Sequence, residues 1–295
     1  MEVEWVTNHL ASCCYAAEGI ARGLPLADSR MGDQFVAASQ ALSKEISVRQ
    51  LPIRAFWSNL LAYSHQLDDR QSLVRTTLRK TIGIESTSEE MVAGVADRIR
   101  EIDAAARQAL PQMLDDLTHR MRPLQEHWEA RGPGLLHEIG QLTDERLLID
   151  QAKIVAVHPA FGGGGNASLA TNAVRIEAVL TNVVDGLPEV VRLGWLLSQL
   201  NHELPIFSER VHGSRLPLIA QLAMLPATLQ ASETVELSQL SPFTIAEALP
   251  AWQIEVAADE DVSATLLDWW HTYRATKPSW EVALAALDQM IGASV

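Results

Sequence analysis

Four consecutive glycines, Gly162-Gly-Gly-Gly165, stand behind a short β-branched run, Ile154-Val-Ala-Val157, and ahead of Asn166-Ala167. This text fits the loose G-x-G-x-x-A form of a dinucleotide fingerprint. In that motif the free N–H groups at a helix N-terminus hold a pyrophosphate. Nucleotide or phosphate binding by Gly162, Gly163, Gly164, Gly165 and Asn166 is therefore one reading. It needs a helix directly after the glycines and a second strand ending in an acid. Asp185 stands at a suitable distance, but a proline-started helix at Pro188 follows it rather than a new strand–helix unit. The other reading is a hairpin-like loop whose glycines take positive φ. His158 lies between the strand and the glycines, and loops at strand ends carry function. It either serves a site or hydrogen-bonds the loop backbone.

Metal chemistry is the next possibility. An H-E-x-x-H zinc site needs two His one helical turn apart, with the Glu beside them. His137-Glu138-Ile-Gly-Gln141 offers Gln as the second ligand, and neutral Gln binds zinc poorly. His202-Glu203-Leu-Pro-Ile206 offers Ile, and Pro205 ends the helix there. Both pairs read as surface or helix-end residues. Glu233 and Glu236 share one helix face at i and i+3. They form either a solvated acidic face or a source of ligands for a metal site assembled with His158. No catalytic residue is assigned, and neither a metal nor another cofactor is expected. No G-x-S-x-G elbow and no glycine-rich loop ending in Lys-Ser/Thr occurs, so an α/β-hydrolase serine and a P-loop have no support.

These residues must be positioned by a scaffold that reads as mostly helical. Helical spacing covers residues 4 to 23, about 32 to 48, 53 to 63 and Arg70 to Ile82, the last ended by Gly83. A further helix begins after Ser86-Thr-Ser-Glu-Glu90 and carries Met91, Val95, Ile99, Ile102 and Ala106. Pro111 kinks it or starts another, running to about Met121. Gly132-Pro-Gly134 separates short helices at Pro123–Arg131 and Leu135–Leu142. Ile154 to Val157 is the clearest strand, ended at His158-Pro159. Val174 to Leu180 alternates at period two and reads as a half-buried strand, although a helix from Ser168 also fits. From Pro188 the chain is helical again, through Leu193, Trp195, Leu196, Leu197 and Leu200, with Trp195 expected to be buried. Leu216 to Leu237 follows with a kink or restart at Pro226. Ile245 to about Ala258, Ala264 to Tyr273 and Trp280 to Ile291 complete the chain. The expected fold is mostly α (α+β). A helical region spans residues 1–131, and an α+β region with a small sheet spans residues 132–295, the two packed as one compact unit.

The segment Ile154 to Glu203 resembles the core of the minimal gluzincin metallopeptidases. In that family a strand and a glycine-containing loop lead to an edge strand and then to the H-E-x-x-H helix. A glutamate zinc ligand lies on a later helix, as Glu233 and Glu236 do here. Where the family has its two His and Glu, this chain reads Arg192-Leu-Gly-Trp-Leu-Leu-Ser-Gln199. The resemblance therefore implies a peptidase-like scaffold that has lost zinc chemistry. Glu129-Ala-Arg-Gly-Pro-Gly-Leu-Leu136 is also similar to text in bacterial proteins of no assigned function.

Composition limits the partners. The 295 residues are 47% hydrophobic and 20% charged, ample for a core. Eight Trp are spread along the chain, and each must bury its ring and find an acceptor for its indole N–H. A net charge of −14 repels phosphate backbones and anionic lipid. No run approaches the length of a membrane span, so neither nucleic acid nor membrane is an expected partner. The adjacent Cys13 and Cys14 form no disulfide framework, and at least one is expected to be buried. The opening residues lack a signal peptide's pattern, which leads to a cytoplasmic expectation. The favoured function is a non-catalytic binding or interaction protein for a protein or small-molecule ligand. The alternatives are a metal-dependent hydrolase and a nucleotide binder.

Overall fold

The computed structural model describes residues 1–256 and 261–292. The fold is mostly helical, with one small mixed sheet. Strand β1 is Glu2–Thr7, and helix α1 follows at His9–Ala21. Then come α2 (Gly32–Val48), α3 (Ile53–Tyr63), α4 (Arg70–Ile82), α5 (Glu89–Ala109), α6 (Met113–Arg120) and α7 (Arg122–Leu142). Next are β2 (Gln151–Val157), β3 (Gly165–Ser168), β4 (Ala173–Glu177) and α8 (Glu189–Leu197). The chain continues with α9 (Pro205–Ser208), α10 (Leu216–Thr234), α11 (Pro242–Ala251), α12 (Val262–Thr276) and α13 (Trp280–Gly292).

The sheet order is β1-β2-β4-β3. β1, β2 and β4 run parallel, and β3 returns antiparallel at the edge. The pleat sends successive side chains to opposite faces. Ile154, Val174 and Ile176 therefore join one core with helices α7 to α13. Val155, Val157 and Ala173 join a second core with α1 to α6. The sheet is a wall between two helical layers. Because three strands are parallel, their carboxyl ends lie along one edge, followed by Asn8, His158 and Ala178. Crevices outside such ends are where ligands bind in open α/β sheets.

Several elements differ from the sequence expectation. Residues 4 to 23 are a strand and a helix, broken at Asn8, whose side chain accepts the Ala11 N–H and caps α1. Trp5 and Leu10 share helical spacing, but Glu2-Val-Glu-Trp-Val-Thr also alternates, and pairing with β2 decides it. Gly132-Pro-Gly134 does not interrupt α7. Pro133 lies on the exposed face, and so does Glu129, the residue whose carbonyl loses its i+4 donor. Leu124, Trp128, Leu135 and Ile139 bury the other face and hold the helix together. Pro226 likewise lies inside an unbroken α10. β4 is buried on both faces rather than half-buried, because helices cover both sides of the sheet. The helix expected to reach Ala258 ends at Ala251, and residues 257 and 258 lie outside the described residues. Trp195 is buried, as expected. Its indole N–H donates to the Gln221 carbonyl, and its ring packs on Trp252 at 5.0 Å. Both Cys13 and Cys14 are buried thiols.

Candidate functional site

The carboxyl edge of the sheet collects buried polar groups around the glycine loop. Glu177 ends β4 and is fully buried. Its Oε1 accepts the Phe161 N–H at 2.9 Å, and its Oε2 accepts the Gly163 N–H. Burial pushes this carboxyl up to about 7, against the pull of those two donors and of the Arg192 charge. Gly163 has φ +137°, and a Cβ there would fall 2.2 Å from Val183 Cγ2, so both backbone and space demand glycine. Gln253 Nε2 donates to the Gly163 carbonyl at 3.1 Å from the far side.

Two helices supply the rest. From α8, Arg192 donates to the Ala251 carbonyl at 3.1 Å and lies 3.3 Å from Glu189 Oε2, one turn earlier on the same face. Both side chains are buried, and burial raises the Glu189 carboxyl although Arg192 opposes it. From α1, the buried Tyr15 hydroxyl points at Gly164 and makes no hydrogen bond among the described residues. The edge is thus a packed polar knot, with the loop's donors turned inward.

This geometry bears on each sequence candidate. Strand β3, which contains Gly165 and Asn166, follows the glycines, so no helix N-terminus stands where the fingerprint requires one. The N–H of Gly163, which a phosphate would use, is occupied by Glu177. Asn166 Oδ1 accepts from Arg175, a buried strand residue whose guanidinium also reaches the Leu61 carbonyl. His158 is buried, and its Nε2 lies 2.9 Å from Asp28 Oδ2. Asp28 is held well below the ordinary carboxylate range, first by its hydrogen bonds from Arg30. Burial lowers the His158 imidazole and outweighs the pull of Asp28. Ser12 Oγ accepts the backbone N–H of His158 and donates to the Asn8 carbonyl, so no Ser–His relay runs through the ring. His158 therefore clips the loop after β2 to the loop after α1.

Glu233 and Glu236 lie elsewhere, at the C-terminal end of α10. Glu233 Oε1 accepts the Leu240 N–H at 2.7 Å, and Glu236 sits at φ +57°. With Asp185 and Glu247 they line an open groove of 640 Å³ beside Phe243, which is 72% exposed. Among the described residues, they do not join His158 in a group spaced for a metal ion. His202 is not on the surface. It lies beyond the end of α8, fully buried, and accepts the Trp280 indole N–H at 3.1 Å. Burial holds its imidazole at about 4, so it is neutral at physiological pH.

Glu177, Arg192, Glu189 and Tyr15 escaped the sequence reading. A visible signal existed for three of them: a Glu and an Arg at i and i+3 on an otherwise apolar helix, and a Glu in a strand read as half-exposed. Tyr15 gave none. Comparison of the chain with family models, curated proteins and solved structures produced no match.

Proposed function

We propose that this protein is a non-catalytic binding protein, and that its groove between the segment before α8 and the turn joining α10 to α11 receives a basic peptide segment of a partner. The observation that carries this reading is the groove lining. It contains Asp185, Glu233, Glu236 and Glu247, no lysine or arginine, and the exposed ring of Phe243. Carboxylates around an aromatic anchor match a segment that alternates cationic and apolar side chains. The net charge of −14 favours the approach of such a cationic segment. A non-catalytic role is supported by α8. In the gluzincin comparison this helix would carry the zinc ligands, but every one of its residues is buried and its two charged side chains face each other.

The test is a fluorescence-anisotropy titration of the full chain with a labelled peptide of alternating Lys and Leu. Saturable binding that weakens with salt is expected, since exposed charges are screened. Phe243→Ala and the double change Glu236→Gln/Glu247→Gln should each weaken it by about tenfold, or roughly 1.4 kcal/mol. Equal binding of an acidic control peptide, or variants that bind as tightly as the parent, would overturn the reading. Displacement of the peptide by spermine at equal concentration would move the assignment to a small polyamine ligand.

A further inference from the structure

Outside the site and the groove, α1 and α5 bring three ligand-bearing side chains together. His9 and Cys13 are i and i+4 on α1, so both project from one face. Asp103 of α5 faces them. One donor atom from each lies within 4.8 Å of the other two. His9 Nε2 is 3.0 Å from Asp103 Oδ1, within ion-pair range, but among the described residues no partner meets it in good hydrogen-bond geometry, and the His9 side chain is only 9% exposed. An imidazole whose charged form burial disfavours, against the pull of Asp103, thus faces a carboxylate oxygen and a buried thiol.

We infer that His9, Cys13 and Asp103 form a zinc-binding site that ties α1 to α5. Tetrahedral zinc takes sulfur at about 2.3 Å and nitrogen or oxygen at about 2.0–2.2 Å, which sets donors roughly 3.3–3.7 Å apart. The three donor atoms lie within 4.8 Å of one another, with His9 Nε2 and Asp103 Oδ1 at 3.0 Å, so side-chain rotation must set the final spacing. The mixed S, N, O set suits Zn²⁺ better than the oxygen-seeking Ca²⁺ or Mg²⁺. Binding releases the Cys13 proton to solvent, and thiolate and carboxylate together balance the two charges of the ion. The fourth position is left for water. Asp103 Oδ2 is already occupied by Arg70 and Arg107, which fix the carboxylate and leave Oδ1 for the metal. The same guanidiniums repel a cation, but they are 37% and 63% exposed, so water weakens the repulsion. Arg70, the less exposed of the two, keeps the carboxylate in place, so Arg107 chiefly adds an electrostatic cost to holding a cation.

The test uses the full chain after chelator treatment. Zn²⁺ affinity is measured by competition with a chromophoric chelator, and Co²⁺ serves as a spectroscopic stand-in. The parent should bind one equivalent, and the Co²⁺ form should show thiolate-to-metal charge-transfer absorption. Cys13→Ser should remove that absorption and weaken zinc by more than about tenfold, whereas Cys14→Ser should leave both intact. Arg107→Gln should tighten zinc severalfold, because it removes a nearby positive charge from an exposed position. No saturable equivalent, or a thiolate band that survives Cys13→Ser, would refute the site. Should Cys13→Ser fail to fold, Arg107→Gln decides: tighter binding supports the site, and unchanged or weaker binding overturns it.

Discussion

Among the described residues, Glu177 is a buried carboxyl without an ion-pair partner, held by two backbone donors. Its folded-state value of about 7, against an ordinary 4.5, means that the folded protein holds the proton more tightly than the unfolded chain. The resulting stability is complete below about pH 4.5 and is lost as pH rises through about 7. Two buried imidazoles act oppositely. His65 and His202 are both lowered to about 4, so their contribution is present above 6.5 and lost as pH falls toward 4. Glu177→Gln should remove the alkaline loss and leave the acid loss. The stability difference between parent and variant should then change by on the order of 3 kcal/mol between pH 4.5 and 8. Urea melts across that range measure it, and parallel profiles would mean that the fold leaves the Glu177 carboxyl at its ordinary value. None of this was legible from the strand pattern. Alternation placed Arg175 and Glu177 on a solvent face, and only the second helical layer reveals that no such face exists.

Sequence and structure agree best where local signals and burial coincide. α4 has the bounds its sequence predicts, because Gly83, at φ +87°, stops the helix. The two part where tertiary packing overrides a local breaker. Gly132-Pro-Gly134 carries the strongest stop in the first half of the chain, yet α7 continues because its buried stripe spans the break. Gly134 therefore lies in a helix interior and bears the entropic cost of glycine without its usual use. It is exposed, its φ is not positive, and an added Cβ would meet only Val235 Cγ1 at 3.4 Å. Gly134→Ala should stabilise the protein by about 0.5–1 kcal/mol. A chemical melt reads this directly, and destabilisation would show that the segment is a turn rather than helix. The loop of Gly162–Gly165 makes the opposite case. There the sequence marked the place correctly as special backbone, but it could not name Glu177 as the group bound by that backbone.

At the scale of the whole molecule, the sheet decides whether the chain behaves as one body. The sequence divides at 131/132, with helices before and the sheet after. The folded chain crosses that boundary twice, because β1 from the first seven residues pairs with β2 and α7 runs through it. Parallel pairing over so many residues cannot be seen in a local window, since neither strand's text names its partner. The consequence is mechanical. Neighbours in β2 serve opposite cores, with Ile154 packed among α7 to α13 and Val155 among α1 to α6. Damage to either should loosen both. Ile154→Ala should cost about 2–5 kcal/mol, with Val155→Ala somewhat less for its smaller loss of volume. Each should keep a single unfolding transition, because the wall they weaken is common to both layers. Hydrogen exchange should speed up for the amides of α2 and α5 and for those of α12 and α13 alike in either variant. If Ile154→Ala accelerated exchange only in α12 and α13 while α2 and α5 kept the parent's protection, the two layers would be separate cooperative units joined by a sheet that transmits little between them.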